Sequence, residues 1–187
     1  MRSHRSPGAT KDRLILFGRY PVPGRTKTRL IPFLGPAGAA ELQRHLTEKA
    51  FQTAKEAAIR RGMALEICLD GGTPYKTRRW LGSWALHALQ DGADLGQRME
   101  TAFFRAFHEG CSRVVLFGTD IPGLSASALD LAMDRLRDSD VVLGPSTDGG
   151  YWLIGLKKSA DLFRGIAWSS EQVLSQTLDR AENLGLS

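Results

Sequence analysis

Polar loops that directly follow short apolar segments hold the residues of this chain that could do chemistry. The first loop, residues 18–29, carries four cationic side chains and two prolines that limit its flexibility. In such a loop a glycine lets the backbone approach a phosphate, a lysine supplies a point charge, and an arginine can donate two parallel hydrogen bonds to phosphate oxygens. We therefore predict a phosphate-binding loop, in which Lys27 also acts in catalysis. Its binding residues are Arg19, Gly24, Arg25, Lys27, Thr28 and Arg29.

The first loop has two other interpretations. Its glycines and lysine superficially resemble the P-loop of nucleoside triphosphatases, which needs its lysine immediately after the second glycine. Here Arg25 and Thr26 separate Gly24 from Lys27, so the spacing argues against a P-loop. The alternative that stays open is a proline-stiffened surface loop whose arginines are solvated.

An aspartate stands in the second loop, residues 118–124, directly beyond the apolar segment 114–117. Mg²⁺ and Mn²⁺ prefer oxygen ligands, and Mg²⁺ is commonly held by one or two carboxylates together with substrate phosphates. Asp120 is therefore the predicted metal ligand. In the alternative interpretation its side chain only accepts hydrogen bonds from the amides of a turn that Pro122 and Gly123 enforce.

A second candidate carboxylate lies in the third loop, residues 144–151, which contains Asp148-Gly149-Gly150. Aspartate followed by glycine is by itself typical of a hairpin turn. If Asp148 faces Asp120 across the edge of a sheet, the two carboxylates could share a metal ion. Asp148 could instead act as general base on an acceptor hydroxyl. We predict a catalytic and a metal-binding role for Asp148.

A fourth segment, residues 92–99, is predicted to open a helix. Asp94 is a good N-cap residue, and Arg98, one turn later, is placed to point into the ligand cleft. We assign Asp94 and Arg98 to nucleotide binding. Capping alone is the alternative.

Alternating strands and helices have to position these loops. Apolar runs predict strands at 14–17, 64–69, 85–89, 114–117, 141–143 and 151–156. Apolar residues at helical spacing predict helices from 42 to the glycine at 62 and at 99–107, 129–136 and 173–181. Ser127 with Asp130, and Ser169 with Gln172, are predicted to cap the last two helices.

The order of these elements implies crossover connections and hence a single-domain α/β sandwich of three layers. Its sheet is predicted to be mostly parallel, in a mixed arrangement, with helices on both faces. Ligands of such sheets lie beyond the carboxyl ends of the strands, which is where the polar loops fall.

The composition and the apolar pattern of the chain predict its cellular compartment. Residues 1–12 are polar and basic and are predicted to form a flexible leader, with residues 13–187 forming the domain. No apolar run approaches the roughly 18 residues of a membrane span, and no secretory signal is recognisable. The two cysteines lack metal-binding spacing. We therefore expect a cytoplasmic protein.

A modest excess of basic residues gives a net charge of +5 and a pI of about 9.5, which favours anionic ligands. The excess is spread along the chain, so nucleic acid is not predicted as a partner. The densest basic and aromatic cluster, residues 75–80, could stack on a single strand. The interpretation that we favour is a solvated helix face with Trp80 turned inward.

Four ordered motifs resemble those of an uncharacterised bacterial glycosyltransferase-A-like family, domain of unknown function 2064, of the nucleotide-diphospho-sugar transferase superfamily. The resemblance runs almost end to end. It rests on Phe17-Gly18-Arg19-Tyr20-Pro21 with Gly24 and Lys27 to Leu30, Asp94-Leu95-Gly96-Gln97-Arg98-Met99, Gly118-Thr119-Asp120-Ile121-Pro122, and Gly144-Pro145 with Asp148-Gly149-Gly150-Tyr151 and Trp168-Ser169-Ser170.

This resemblance implies a nucleotide-diphospho-sugar transferase fold, a nucleotide near loop 19–29, and Mg²⁺ or Mn²⁺ near Asp120. We expect a substrate pocket lined by Gly149, Gly150, Tyr151, Trp168 and Ser169. The expected reaction is metal-dependent glycosyl transfer from a nucleotide-diphospho-sugar to an unknown acceptor. The alternatives are nucleotidyl transfer from a nucleoside triphosphate, as in the guanylyltransferases of this fold, and a non-catalytic nucleotide-binding module.

Overall fold

The computed structural model describes residues 11–187, which form a six-stranded sheet between two layers of helices. A single 3-10 turn, Thr28–Leu30, precedes the first helix. The strands are β1 Asp12–Arg19, β2 Ala64–Asp70, β3 Leu86–Leu89, β4 Arg113–Gly118, β5 Val141–Pro145 and β6 Tyr151–Leu156. The helices are α1 Ile31–Arg61, α2 Pro74–Leu81, α3 Leu95–His108, α4 Ala126–Arg135 and α5 Val173–Asn183.

The sheet is mixed, with the strand order β3-β2-β1-β4-β6-β5. Strands β1 to β4 pair in parallel, whereas β6 is antiparallel to both of its neighbours. β5 therefore runs in the same direction as β1 and β4. The carboxyl ends of these three strands meet at one edge of the sheet, and this confirms the predicted α/β fold.

Strand β1 is buried on both faces of the sheet, towards which its successive side chains point in turn. Leu14 and Leu16 of β1 pack into a core with α1 and α4. Ile15 and Phe17 pack into a second core on the α3 side of the sheet. The continuous apolar run 14–17 thus forms a strand that is buried on both faces, which is what such a run indicates.

The connection between β5 and β6 is a tight hairpin, so the hairpin interpretation of Asp148-Gly149-Gly150 is correct. The basic segment after β2 contains helix α2, which Thr73 caps by accepting a hydrogen bond from the Lys76 amide at 3.2 Å. Trp80 of α2 is half-buried and donates to Glu48 at 2.6 Å, which agrees with an inward orientation.

Helix boundaries were predicted less well than strands. α1 begins at Ile31, well before residue 42, and bends at Gly35, whose φ of 68° is not helical. The Ser127 cap of α4 is wrong, because Ser125 accepts from the Ala128 amide instead. The Ser169 cap of α5 is also wrong, since the N-cap residue Gln172 makes no capping bond through its side chain.

The predicted leader falls mostly on residues 1–10, which lie outside the described residues, and β1 already includes Asp12. No helix among residues 11–187 combines the length and the apolar character that a membrane crossing requires.

Candidate functional site

The first loop turns Lys27 towards the interior of the molecule. The loop is closed by hydrogen bonds from the Arg25 amide and the Thr26 hydroxyl to the Val22 carbonyl, at 3.0 and 3.2 Å. Lys27 then adopts a left-handed backbone conformation, with φ at 47°, before the 3-10 turn begins. Its side chain is only 12% exposed, unlike a solvated surface lysine.

The Lys27 ammonium lies 2.8 Å from a carboxylate oxygen of Asp120, the residue that follows β4. The neighbouring Thr119 hydroxyl donates to the other Asp120 oxygen at 3.2 Å. Gln43, buried on α1, donates to the same hydroxyl at 3.1 Å. Asp120 is thus held by one cation and one hydroxyl, and its carboxylate is 64% exposed.

Asp148 is held at the tip of the β5–β6 hairpin. The Ser146 hydroxyl donates a short hydrogen bond to it, and the Gly150 amide donates at 3.2 Å. These two donors, the Ser146 hydroxyl first, hold the pKa of the Asp148 carboxyl below its usual range. Gly149 has a φ of 82°, and a Cβ there would lie 2.1 Å from the Glu171 carbonyl oxygen, so only glycine fits.

Asp94 and Arg98 flank the same edge of the sheet. Asp94 caps α3, as predicted, by accepting from the Gln97 amide at 2.9 Å. Arg98 donates to the Gly92 carbonyl at 3.0 Å and lies 3.1 Å from Asp70. Arg19 pairs with the same Asp70 at 3.3 Å.

Two residues of this site are not among those predicted from the sequence. Asp70 ends β2, and Gln90, just after β3, donates to the carbonyls of Gly18 and Cys68 at 2.8 and 3.2 Å. Both residues follow predicted strands. The rule that ligands lie beyond strand ends, applied to β2 and β3 as well, would have identified them.

Polar side chains from the three loops and from the start of α3 surround one cavity of about 680 Å³, which we call the charged cavity. The loops therefore meet at one place, as the pattern of strand ends predicts. Of the predicted site residues, the charged cavity is lined by Arg19, Lys27, Asp94, Arg98, Asp120, Asp148, Tyr151 and Ser169.

A second cavity, of about 580 Å³, adjoins the first and shares several lining residues with it. We call it the apolar compartment, because aromatic and aliphatic side chains dominate its lining. It contains the predicted site residues Arg29, Asp148, Gly150, Tyr151, Trp168 and Ser169. Four predicted residues, Gly24, Arg25, Thr28 and Gly149, line neither of these two cavities.

The fit of a metal ion can be judged from the oxygen donors. Within the described part of the chain, no group of three or more His, Cys, Asp or Glu side chains could jointly hold a metal ion. Asp120 and Asp148 do line one cavity. Two carboxylates completed by substrate phosphates are a common ligand set for Mg²⁺, so these residues fit a cation that arrives with a phosphorylated ligand.

The fold and this edge of charged loops define the class of nucleotide-diphospho-sugar transferase folds. The chain belongs to the family "Uncharacterized protein conserved in bacteria (DUF2064)", which matches residues 41–170. It is 37% identical to a protein of Desulfovibrio desulfuricans G20 that is provisionally named a nucleotide-diphospho-sugar transferase. The match to its crystal structure covers 95% of this chain and 78% of the D. desulfuricans chain, with a TM-score of 0.87.

Two further solved structures share the fold at low sequence identity. The inositol-1-phosphate CTP transferase of T. maritima is 14% identical, and the match covers 97% of this chain and 84% of that one with a TM-score of 0.54. CMP:2-keto-3-deoxy-manno-octonic acid synthetase, solved with CTP, is 12% identical, with coverages of 95% and 87% and a TM-score of 0.52. No curated protein sequence matches the chain.

Proposed function

We propose that this protein is a metal-dependent glycosyltransferase that uses a nucleotide-diphospho-sugar donor. The observation that carries the proposal is the convergence of Lys27, Asp120 and Asp148, from three separate loops, on one cavity at the carboxyl edge of the sheet. The relationship to the D. desulfuricans protein, which is provisionally named a nucleotide-diphospho-sugar transferase, supports the same class of donor.

The charge of the cavity supports metal dependence. Its lining contains three cationic side chains and four carboxylates, which gives a net charge of −1 when all are ionised. A diphosphate is itself strongly anionic, so its binding there calls for additional positive charge. A divalent cation held by Asp120 and by phosphate oxygens of the donor would supply that charge and neutralise the departing diphosphate, which leaves Asp148 free to act as the base.

In the proposed reaction, an acceptor hydroxyl oxygen attacks the anomeric carbon of the donor sugar. The bond between that carbon and the diphosphate oxygen breaks, and its electron pair leaves with the nucleoside diphosphate. Lys27 places a positive charge beside the departing group, where negative charge develops. The hydroxyl proton passes to Asp148.

The low pKa of Asp148 limits how early this proton can move. A carboxylate of low pKa is ionised at neutral pH but is a weak base. The acceptor hydroxyl becomes acidic as the new bond forms. Asp148 therefore orients the hydroxyl first and takes its proton late.

A second candidate function is nucleotidyl transfer from a nucleoside triphosphate. The likeness of fold to two enzymes whose names or bound ligands refer to CTP favours it. In that reaction the acceptor attacks the α-phosphorus and pyrophosphate leaves. The third candidate, a non-catalytic nucleotide-binding module, requires binding in the charged cavity without turnover.

A thermal-shift experiment tests nucleotide and metal binding together. We expect UDP-glucose, GDP-mannose or CTP to stabilise the protein, and Mn²⁺ to enlarge the shift, because a ligand of the folded state raises its stability. Asp120→Asn should abolish the metal-dependent part. Asp138→Asn, an exposed aspartate at the opposite edge of the sheet, is the matched control.

Product analysis with the stabilising ligand separates the candidate reactions. Nucleoside diphosphate released only when an acceptor is present supports glycosyl transfer, and pyrophosphate supports nucleotidyl transfer. Binding without either product supports the non-catalytic module. If the metal-dependent part of the thermal shift is unchanged in Asp120→Asn, Asp120 is not a metal ligand.

A further inference from the structure

The apolar compartment differs in chemistry from the charged cavity beside it. Much of its lining consists of Phe17, Leu95, Met99, Leu116, Trp168 and Val173. We propose that this compartment binds the apolar body of an acceptor whose hydroxyl is the group that receives the sugar. The inference rests on the proposed function and names the substrate class that the function leaves open.

The compartment is built into the α3 and α5 side of the sheet. Phe17 on β1, Leu116 on β4 and Met99 on α3 belong to the buried core of that side, and each of them also lines the compartment. Val173, at the start of α5, is buried as well. Because these side chains are fixed in regular elements, the lining is preformed, as is typical of small-molecule sites.

Trp168 is held in the lining by a specific contact. A Cβ on Gly96 of α3 would lie 2.7 Å from the Trp168 indole nitrogen, so the indole fits only because residue 96 is glycine. Phe163 contacts the same ring, with 6.5 Å between ring centroids. The chain thus places a half-buried indole against the compartment, where it offers a broad apolar surface to a ligand.

A bare sugar needs hydrogen-bond partners for several hydroxyls, and the lining offers few that are free. Besides Asp148, its charged side chains are Arg29 and Glu171, and both residues are exposed. Of its two serine hydroxyls, that of Ser170 already donates to the Ala167 carbonyl at 2.7 Å, and Ser169 is exposed. The Tyr151 hydroxyl is buried near Thr177 but makes no hydrogen bond of good geometry. A ligand with an apolar body and one or two polar atoms matches this lining better than a carbohydrate does.

The position of Asp148 connects the compartment to the reaction. Asp148, Tyr151 and Ser169 line both cavities. A hydroxyl carried by a group in the apolar compartment can therefore reach the Asp148 carboxylate. The donor diphosphate lies on the other side of that carboxylate, in the charged cavity.

Calorimetric titration with 2-naphthol, an apolar bicyclic molecule with one hydroxyl, tests the inference. We expect 2-naphthol to bind the wild type, with UDP and Mn²⁺ present or absent, because the two ligands occupy different cavities. Trp168→Ala should weaken 2-naphthol binding at least tenfold. Trp168→Phe, which keeps an aromatic ring, should weaken it less than about threefold.

Three further variants guard against loss of folding and against non-specific effects. Trp84→Ala removes an exposed indole that lines neither cavity and should leave the affinity for 2-naphthol unchanged. Leu95→Asn places an amide at an exposed position of the lining and should weaken binding in a folded protein. Phe104→Asn, exposed on the same helix, is its control.

The outcomes separate this inference from the proposed function. Displacement of 2-naphthol by UDP would place the nucleobase in the compartment and overturn the inference. Nucleotide binding without 2-naphthol binding would also overturn it, while the proposed function would stand. If 2-naphthol binds through Trp168 but no nucleotide binds, the proposed function fails. The compartment would then be an apolar binding site, but the inference that it binds an acceptor would fail with the proposed function.

Discussion

The Lys27 ammonium and the Asp120 carboxylate are 2.8 Å apart, so the cation of the first loop neutralises the carboxylate that follows β4. The Lys27 side chain is mostly buried, and a buried ammonium interacts more strongly with its partner than a solvated one does. A divalent cation that binds Asp120 therefore competes with Lys27 for the same oxygens. A phosphate that attracts Lys27 would favour binding of the metal.

Replacement of Lys27 by methionine tests this competition. We expect Lys27→Met to bind Mn²⁺ about tenfold more tightly than the wild type without nucleotide, which corresponds to about 1.4 kcal/mol. UDP should bind several-fold more weakly, because its diphosphate loses a cation. Mn²⁺ titration followed by electron paramagnetic resonance measures the first effect. Lys76→Met, an exposed lysine on α2, is the control, and an unchanged Mn²⁺ affinity in Lys27→Met would contradict the competition.

The contact between Gly96 and Trp168 predicts an unusual effect of a helix substitution. Alanine normally stabilises a helix relative to glycine by roughly 1 kcal/mol. In Gly96→Ala the new methyl group would lie 2.7 Å from the indole nitrogen, so Trp168 has to move. We expect a net loss of about 1–3 kcal/mol in unfolding free energy, as for other overpacked sites, and an altered tryptophan fluorescence spectrum.

Gly123→Ala is the control for this prediction, because a Cβ at Gly123 meets no atom within 4 Å. Its unfolding free energy should stay within about 0.5 kcal/mol of the wild type. A stabilised Gly96→Ala protein with unchanged fluorescence would mean that helix propensity outweighs the contact.

The sequence predicted the edge of the sheet at which the charged residues gather, because buried parallel strands have a clear pattern. The run 14–17 and the run 114–117 both end where a polar loop begins, and the structure places those loops side by side. The direction of β6 could not be predicted in the same way. An apolar run such as Tyr151–Leu156 indicates burial but carries no information on strand direction.

The start of α1 and the contacts within the site depend on tertiary structure. Residues 31–41 contain two prolines and two glycines, which disfavour helix, and Gly35 does interrupt the helical backbone. The ion pair between Lys27 and Asp120 exists because β1 and β4 are neighbours in the sheet, which a single sequence does not specify. Asp70 enters the site for the same reason, since β2 is the other neighbour of β1.

A buried ion-pair network at the opposite end of β1 predicts a large loss of stability on substitution. Glu66 is 2% exposed and pairs with Arg13 at 3.0 Å and with Arg105. Glu66→Gln removes the carboxylate that both arginines contact. Arg13, itself nearly inaccessible, keeps an ion pair with the exposed Glu109 at 2.7 Å, whereas Arg105 loses its ion pair with Glu66. We expect a loss of about 3 kcal/mol in unfolding free energy, measured by urea denaturation.

Glu56→Gln provides the comparison for this network. Glu56 pairs with Arg60 at 3.3 Å on the exposed face of α1, where an ion pair contributes less than about 0.5 kcal/mol. Equal effects of the Glu66 and Glu56 substitutions would show that burial adds nothing to the Glu66 pair.

His87 on β3 predicts how stability depends on pH. Burial lowers the pKa of its imidazole, although the hydrogen bond to the Gly82 carbonyl at 2.8 Å acts in the opposite direction. In the unfolded chain, histidine titrates near pH 6.5, at about its ordinary pKa. As the pH falls through that value, the unfolded state takes up a proton that the folded state does not. The free energy of unfolding therefore decreases, and it stops decreasing once the pH is below the lower pKa of the folded state.

His87→Gln removes this titration while keeping a hydrogen-bond donor. We expect its urea midpoint to change less between about pH 7.5 and 5.5 than that of the wild type, because the unfolded state no longer gains a proton at residue 87. Parallel pH profiles for wild type and His87→Gln would mean that His87 has the same pKa in both states.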